Sequence, residues 1–121
     1  MPEFQELQKR TKAFALRILK LCRSLPKTDE GKILSKQILR SGTSIGANYR
    51  AACRARSRAE FVAKLGIVLE EADETTFWLE LIHEADIFPG QKLQSLLQEA
   101  NELVAIFVTS VRTAKGFTSA I

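Results

Sequence analysis

Apolar residues return every three or four positions through four successive stretches of this chain, and that spacing limits its fold more than any other feature. The first stretch runs Phe4, Leu7, Thr11, Phe14, Ile18, Leu21 and Leu25, and the second Leu34, Ile38, Ser41, Ile45, Asn48 and Ala52. The third runs Phe61, Leu65, Val68, Ala72, Thr75, Leu79 and Ile82. The fourth holds Leu93, Leu96, Leu97, Ala100, Leu103, Val104, Phe107, Val108 and Val111. Such steps place side chains on one stripe of a 3.6-residue helix, whereas a strand requires strict alternation. No alternating run occurs anywhere in the sequence.

Local chemistry marks the boundaries. Pro2 suits a first helical turn, and Pro26 cannot continue a helix. Thr28 with Asp29 and Glu30 supplies an N-cap and first-turn acids for the second helix. Ser57 with Glu60 forms a capping box directly before Phe61. Pro89-Gly90 breaks the third helix, and Gly116 ends the fourth. The connections near 26–28, 57 and 87–91 are short, so neighbouring helices run antiparallel. The 121 residues therefore read as one domain over 1–121, an all-α, up-down-up-down four-helix bundle.

The segment Arg40-Ser-Gly-Thr-Ser-Ile-Gly-Ala-Asn48 is rich in poor helix formers, and each Gly costs about 1 kcal/mol against Ala. Taken alone it would suit a loop. The seam nevertheless stays in phase through Ser41, Ile45, Asn48 and Ala52, which predicts a continuous helix. Gly42, Gly46 and Ala47 then form a surface that a second helix approaches closely, and Asn48 is a buried polar group needing partners. Helices three and four carry apolar residues beyond one seam, among them Ile67, Leu69, Phe77, Trp78, Leu81, Val104 and Ile106. A lone bundle has nothing to cover such a girth, so self-association is expected.

Composition excludes several function classes. No stretch approaches the roughly 20 apolar residues of a membrane span, and Met1-Pro-Glu-Phe4 is polar too early for a signal peptide. Cys22 and Cys53 have no metal-ligand spacing and are too few for a disulfide framework, which reads as free thiols in a cytoplasmic protein. Glu80-Leu-Ile-His83 has the Glu-x-x-His spacing of di-iron bundles, but His83 is the sole histidine and such a site needs two motifs. His83 is better read as a helix-surface residue near a C-terminal turn. Gly42-x-x-x-Gly46 precedes no Lys-Ser/Thr and is no phosphate loop. The acids Glu70, Glu71, Asp73 and Glu74 lack a nucleophile or metal ligands beside them. No enzyme, cofactor or metal is expected.

Charge is more informative. Residues 1–64 hold 15 Lys/Arg against 5 Asp/Glu, and residues 65–121 hold 3 against 9. Either basic helices neutralise acidic ones within the bundle, or a basic face remains for an acidic partner such as nucleic acid. Arg50, Arg54 and Arg58 recur four apart, with Arg56 beside them, and at that spacing share a face near the end of helix two. Arg clamps phosphate bidentately, so these four are the candidate nucleic-acid contacts. The alternative is a solvated face, or pairing with Glu60 and neighbouring acids.

The stretch Gln37-Ile-Leu-Arg-Ser-Gly-Thr-Ser-Ile-Gly-Ala-Asn48 resembles the signature of the small four helix bundle protein family encoded in 23S ribosomal RNA intervening sequences. The accessory variability determinants of diversity-generating retroelements are relatives. Phe61, Lys64-Leu65, Ile67-Val-Leu69, Glu71-Ala72, Glu74-Thr75 and Trp78-Leu79 follow the family's order. The layout agrees over roughly residues 4–112. The resemblance implies a bacterial up-down bundle assembled as a homopentamer, without enzymatic activity, binding RNA or DNA, or a reverse transcriptase with its template. Two positions depart from the family: Ala51 where an acid is usual, and Glu70 where Lys is frequent. Arg40, Asn48, Glu71 and Glu74 recur within the two blocks and are expected to form a buried structural network between helices two and three. A scaffold whose arginines pair with acids, within or between subunits, is the alternative function.

Overall fold

The computed structural model describes residues 2–116, so Met1, the signal-peptide reading that rests on it, and the end of the 1–121 domain lie outside the described residues. Four helices follow in order: α1 (Pro2–Ser24), α2 (Asp29–Cys53), α3 (Arg58–Glu84) and α4 (Gly90–Lys115). No strand occurs among the described residues. Each helix packs along its sequence neighbour, while α1 and α4 approach more loosely.

Side-chain chemistry ends the helices where punctuation predicts. Thr28 Oγ1 accepts the Gly31 amide at 3.1 Å and caps α2. Gly31 has no Cβ, and one added there would meet the Pro26 carbonyl oxygen at 2.0 Å, so this turn needs glycine. Ser57 Oγ accepts the Glu60 amide at 3.1 Å at the start of α3. The Glu60 carboxylate reaches back to the Arg56 amide at 3.0 Å, closing the box one residue earlier than the usual form. Gly116 ends α4 in the left-handed region, at φ 77°.

The predicted stripes meet along the axis. Phe14 and Ile18 of α1, Ile38 and Ile45 of α2, Leu65, Val68, Leu79 and Ile82 of α3, and Leu93, Leu103 and Phe107 of α4 are fully buried. Burying each such side chain stabilises the fold by about 1.5–3 kcal/mol. Tyr49, outside the predicted seam, is also buried and lies with its ring centroid 5.4 Å from that of Phe107. Asn48, placed on the seam by the sequence, is only half-buried.

The glycine segment is helical throughout and brings α1 close. A Cβ on Gly42 would lie 2.9 Å from Ile18 Cγ1, and one on Gly46 would lie 3.3 Å from Thr11 Oγ1. Buried hydroxyls complete the contact between α2 and α3, where the Ser41 and Thr75 oxygens lie 2.9 Å apart. Thr75 and Thr11 also donate to carbonyls one turn back, those of Glu71 at 2.7 Å and Leu7 at 2.8 Å. Each buried hydroxyl thus has a partner.

Candidate functional site

The close approach of α1 and α2 leaves a shallow trough on their outer side. Its lining includes the small residues Ala15, Gly46 and Ala47, and at Gly46 an added Cβ would lie 3.3 Å from Thr11 Oγ1. Gln8, Lys12, Thr43 and Arg50 form its walls around a volume of about 340 Å³. An adjoining depression of about 230 Å³ shares Gln8, Lys12 and Arg50 and adds Gln5 and Lys9. Three cations therefore converge from two helices, with no carboxylate in the lining. Among the described residues, none of the three is ion-paired. Such a groove attracts anions, and its glutamines add neutral hydrogen-bonding groups.

The arginine cluster is arranged differently from the four-residue spacing. Helix α2 ends at Cys53 with Arg54 as its C-cap, Arg56 lies in the connection, and Arg58 opens α3. Arg50, Arg54 and Arg58 therefore do not share a helical face. The capping box at Ser57 needs a new helix to start there, which breaks the phase between Arg54 and Arg58. All four arginines are exposed. Arg58 Nε donates to the Ala114 carbonyl at 2.9 Å and ties the start of α3 to the last turn of α4. Cations near terminal helix carbonyls are favoured by the helix dipole.

The expected polar network is only partly assembled. Arg40 pairs with Glu71 at 3.2 Å and with Glu74, linking α2 to α3. Asn48 takes no part, since its Nδ2 donates to the Ser44 carbonyl one turn back at 2.8 Å. The pairing is also not buried: the Arg40 side chain is 50% exposed. The Glu71 hydrogen bond, and secondarily the nearby charges, hold the Arg40 guanidinium above its ordinary pKa.

A second clamp had no signal in the sequence. Arg10 Nε and Nη2 donate to the two Glu99 oxygens at 2.8 and 2.7 Å, and Nη2 also reaches Glu102 at 2.6 Å. This fork bridges the loose α1–α4 seam. Hydrogen bonding to Glu99 raises the Arg10 pKa above its usual value despite partial desolvation. Its partners lie 89 and 92 residues away, so no local pattern marks them.

Elsewhere, catalytic chemistry finds little. Among the described residues no group of three His, Cys, Asp or Glu is placed to hold a metal. His83 is half-buried rather than a surface residue, with Nδ1 unpartnered beside Gly90. Cys22 and Cys53 are free, and burial pushes the Cys22 thiol pKa up, partly opposed by Lys27. No helix among the described residues is long and apolar enough to cross a membrane.

A sequence model described as 23S rRNA-intervening sequence protein matches residues 4–109. The chain belongs to the 23S rRNA-intervening sequence protein family. A crystal structure of a protein with unknown function from the S23 ribosomal protein family of Bacteroides thetaiotaomicron is 39% identical to it. The alignment covers 87% of this chain and 97% of that one, with a TM-score of 0.81. No curated protein matches the chain. Membership in the 23S rRNA-intervening sequence protein family agrees with the glycine-containing signature of α2. In this member both signature glycines, Gly42 and Gly46, face α1, and Gly46 also lines the basic trough.

Proposed function

We propose that the chain is a non-catalytic, homo-oligomeric bundle that associates with RNA or DNA through the α1–α2 groove. The convergence of Lys9, Lys12 and Arg50 on a trough without a carboxylate carries this reading. Contacts of this kind neutralise backbone phosphates and carry no base information, so binding is weakly sequence-selective. Arg54 and Arg56, exposed just beyond the end of α2, extend the basic surface. Self-association draws on α3, where Ile67, Phe77 and Leu81 are 42%, 51% and 37% exposed. Trp78, edge-on to Phe77 at 5.1 Å, has an Nε1 without an acceptor. Repetition of the groove around an oligomer strengthens individually weak phosphate contacts.

One observation favours a second reading, a protein-interaction scaffold. Arg40 is already engaged by two carboxylates, and α3 carries exposed Glu70, Asp73 and Glu80 that match the groove in charge. The two readings separate in a filter-retention assay at low salt with labelled RNA and DNA. Nucleic-acid association predicts retention by the parent chain and its loss in Lys9→Gln/Lys12→Gln/Arg50→Gln at unchanged oligomer mass. Absence of retention of either nucleic acid by the folded parent decides for the scaffold.

A further inference from the structure

At the other end of α1 a second charged cleft opens, this time toward α4. It is an open depression of about 480 Å³, lined by the cations Arg17, Lys20 and Lys92, by Ser24, and by the apolar Leu21, Leu96 and Phe88. It shares no residue with the α1–α2 groove.

Charge and geometry together select an anion here. Every charged residue of the lining is a cation, and none of them is ion-paired among the described residues. Three exposed cations around one depression create a positive field that attracts an anion. Arg17 Nη2 donates to Ser95 Oγ at 2.7 Å, which draws the guanidinium toward α4 while using one of its five N–H donors. The first turn of α4 adds to the field. Its N-cap is Pro89, with no side-chain cap, and no acid stands in that turn. The Lys92 charge is therefore not offset by an acid of its own helical turn. Besides the polar Ser24, the remaining lining is Leu21, Leu96 and the aromatic Phe88, and an aromatic side chain is a surface on which a nucleobase packs.

We propose that this cleft binds a 5′-nucleotide, its phosphate held by Arg17, Lys20 and Lys92 and its base against Phe88. The volume falls within the roughly 300–1,000 Å³ of small-ligand pockets, which suits one nucleotide. The same chemistry is offered by a free nucleotide and by the phosphorylated end of a strand.

Isothermal titration of the full chain with AMP, adenosine and inorganic phosphate tests the proposal. Saturable AMP binding is expected, with adenosine weaker by about tenfold or more because it lacks the phosphate. Lys20→Gln/Lys92→Gln, both at exposed positions, is expected to weaken AMP binding by about tenfold or more. Lys32→Gln/Lys36→Gln, an equal charge change outside the cleft, is expected to leave it unaltered. Phe88→Leu is expected to weaken AMP and spare inorganic phosphate. Circular dichroism checks that each variant is folded. Equal affinity for AMP and a 5′-phosphorylated tetranucleotide identifies a strand end as the source, and preference for AMP identifies a free nucleotide. The proposal is overturned if the folded parent gives no saturable signal at millimolar AMP. Adenosine binding as well as AMP, or equal weakening in the two double-lysine variants, overturns it too.

Discussion

Among the described residues, Arg10 and Arg40 bridge pairs of helices through carboxylates, and their surroundings decide how much each contributes. Arg10 meets Glu99 through a two-pronged contact and Glu102 through a third bond, at a place where α1 and α4 otherwise approach loosely. Arg40 pairs across a seam already closed by buried apolar residues and by the Ser41–Thr75 contact. Exposed ion pairs contribute little, because solvent screens them and long side chains lose freedom in forming them. Arg10→Met is therefore expected to destabilise by about 1 kcal/mol in urea denaturation. Arg40→Met is expected to shift the urea midpoint less, and a larger effect at Arg40 contradicts this ranking. The Arg40 partners were legible because all three residues recur in the two signature blocks. The Arg10 partners were not, since only the tertiary fold brings them together. Asn48 was misplaced for a local reason: a self-satisfied amide needs no distant acid.

At the level of the helices, the same residue type has opposite effects according to what faces it. Gly66 on α3 has nothing within 4 Å of the position a Cβ would take. Gly66→Ala should stabilise by about 0.5–1 kcal/mol by removing the entropic cost of glycine in a helix. Gly42 faces Ile18, a buried β-branched side chain with little rotameric freedom to move aside. There the overpacking cost, typically about 1–3 kcal/mol, outweighs the helix-propensity gain. Gly42→Ala should thus lower the melting temperature while Gly66→Ala raises it, as followed by circular dichroism. Stabilisation by both substitutions contradicts the close α1–α2 contact. The four helices were legible in the sequence because period and caps agreed, even through the glycines of α2. The end of α2 was obscured because Arg54 and Arg58 continue a four-residue rhythm. Ser57 held the correcting signal, since an N-cap requires the preceding helix to have stopped.

Across the whole molecule, basic side chains gather on α1 and α2, while seven acids lie on α3. This separation gives opposite charges to different faces and leaves an apolar strip exposed along the acidic helix. The charge asymmetry was readable from the halves of the chain. The groove was not, because its walls come from residues about forty positions apart. Coverage of the strip by further copies predicts self-association, and the homopentamer that the family resemblance implies would give a light-scattering mass about five times 13.5 kDa at micromolar concentration; a stable monomer contradicts both. The groove itself is tested most directly by fluorescence anisotropy with single-stranded RNA over a range of salt concentrations. Nucleic-acid association predicts a log–log slope that loses roughly 0.7 units for each phosphate contact removed, hence about 2 units for three. Lys9→Gln/Lys12→Gln/Arg50→Gln should show that loss together with weaker binding at every salt concentration. An unchanged slope and affinity in this variant, with its fold intact, would contradict the assignment of the α1–α2 groove as the nucleic-acid surface.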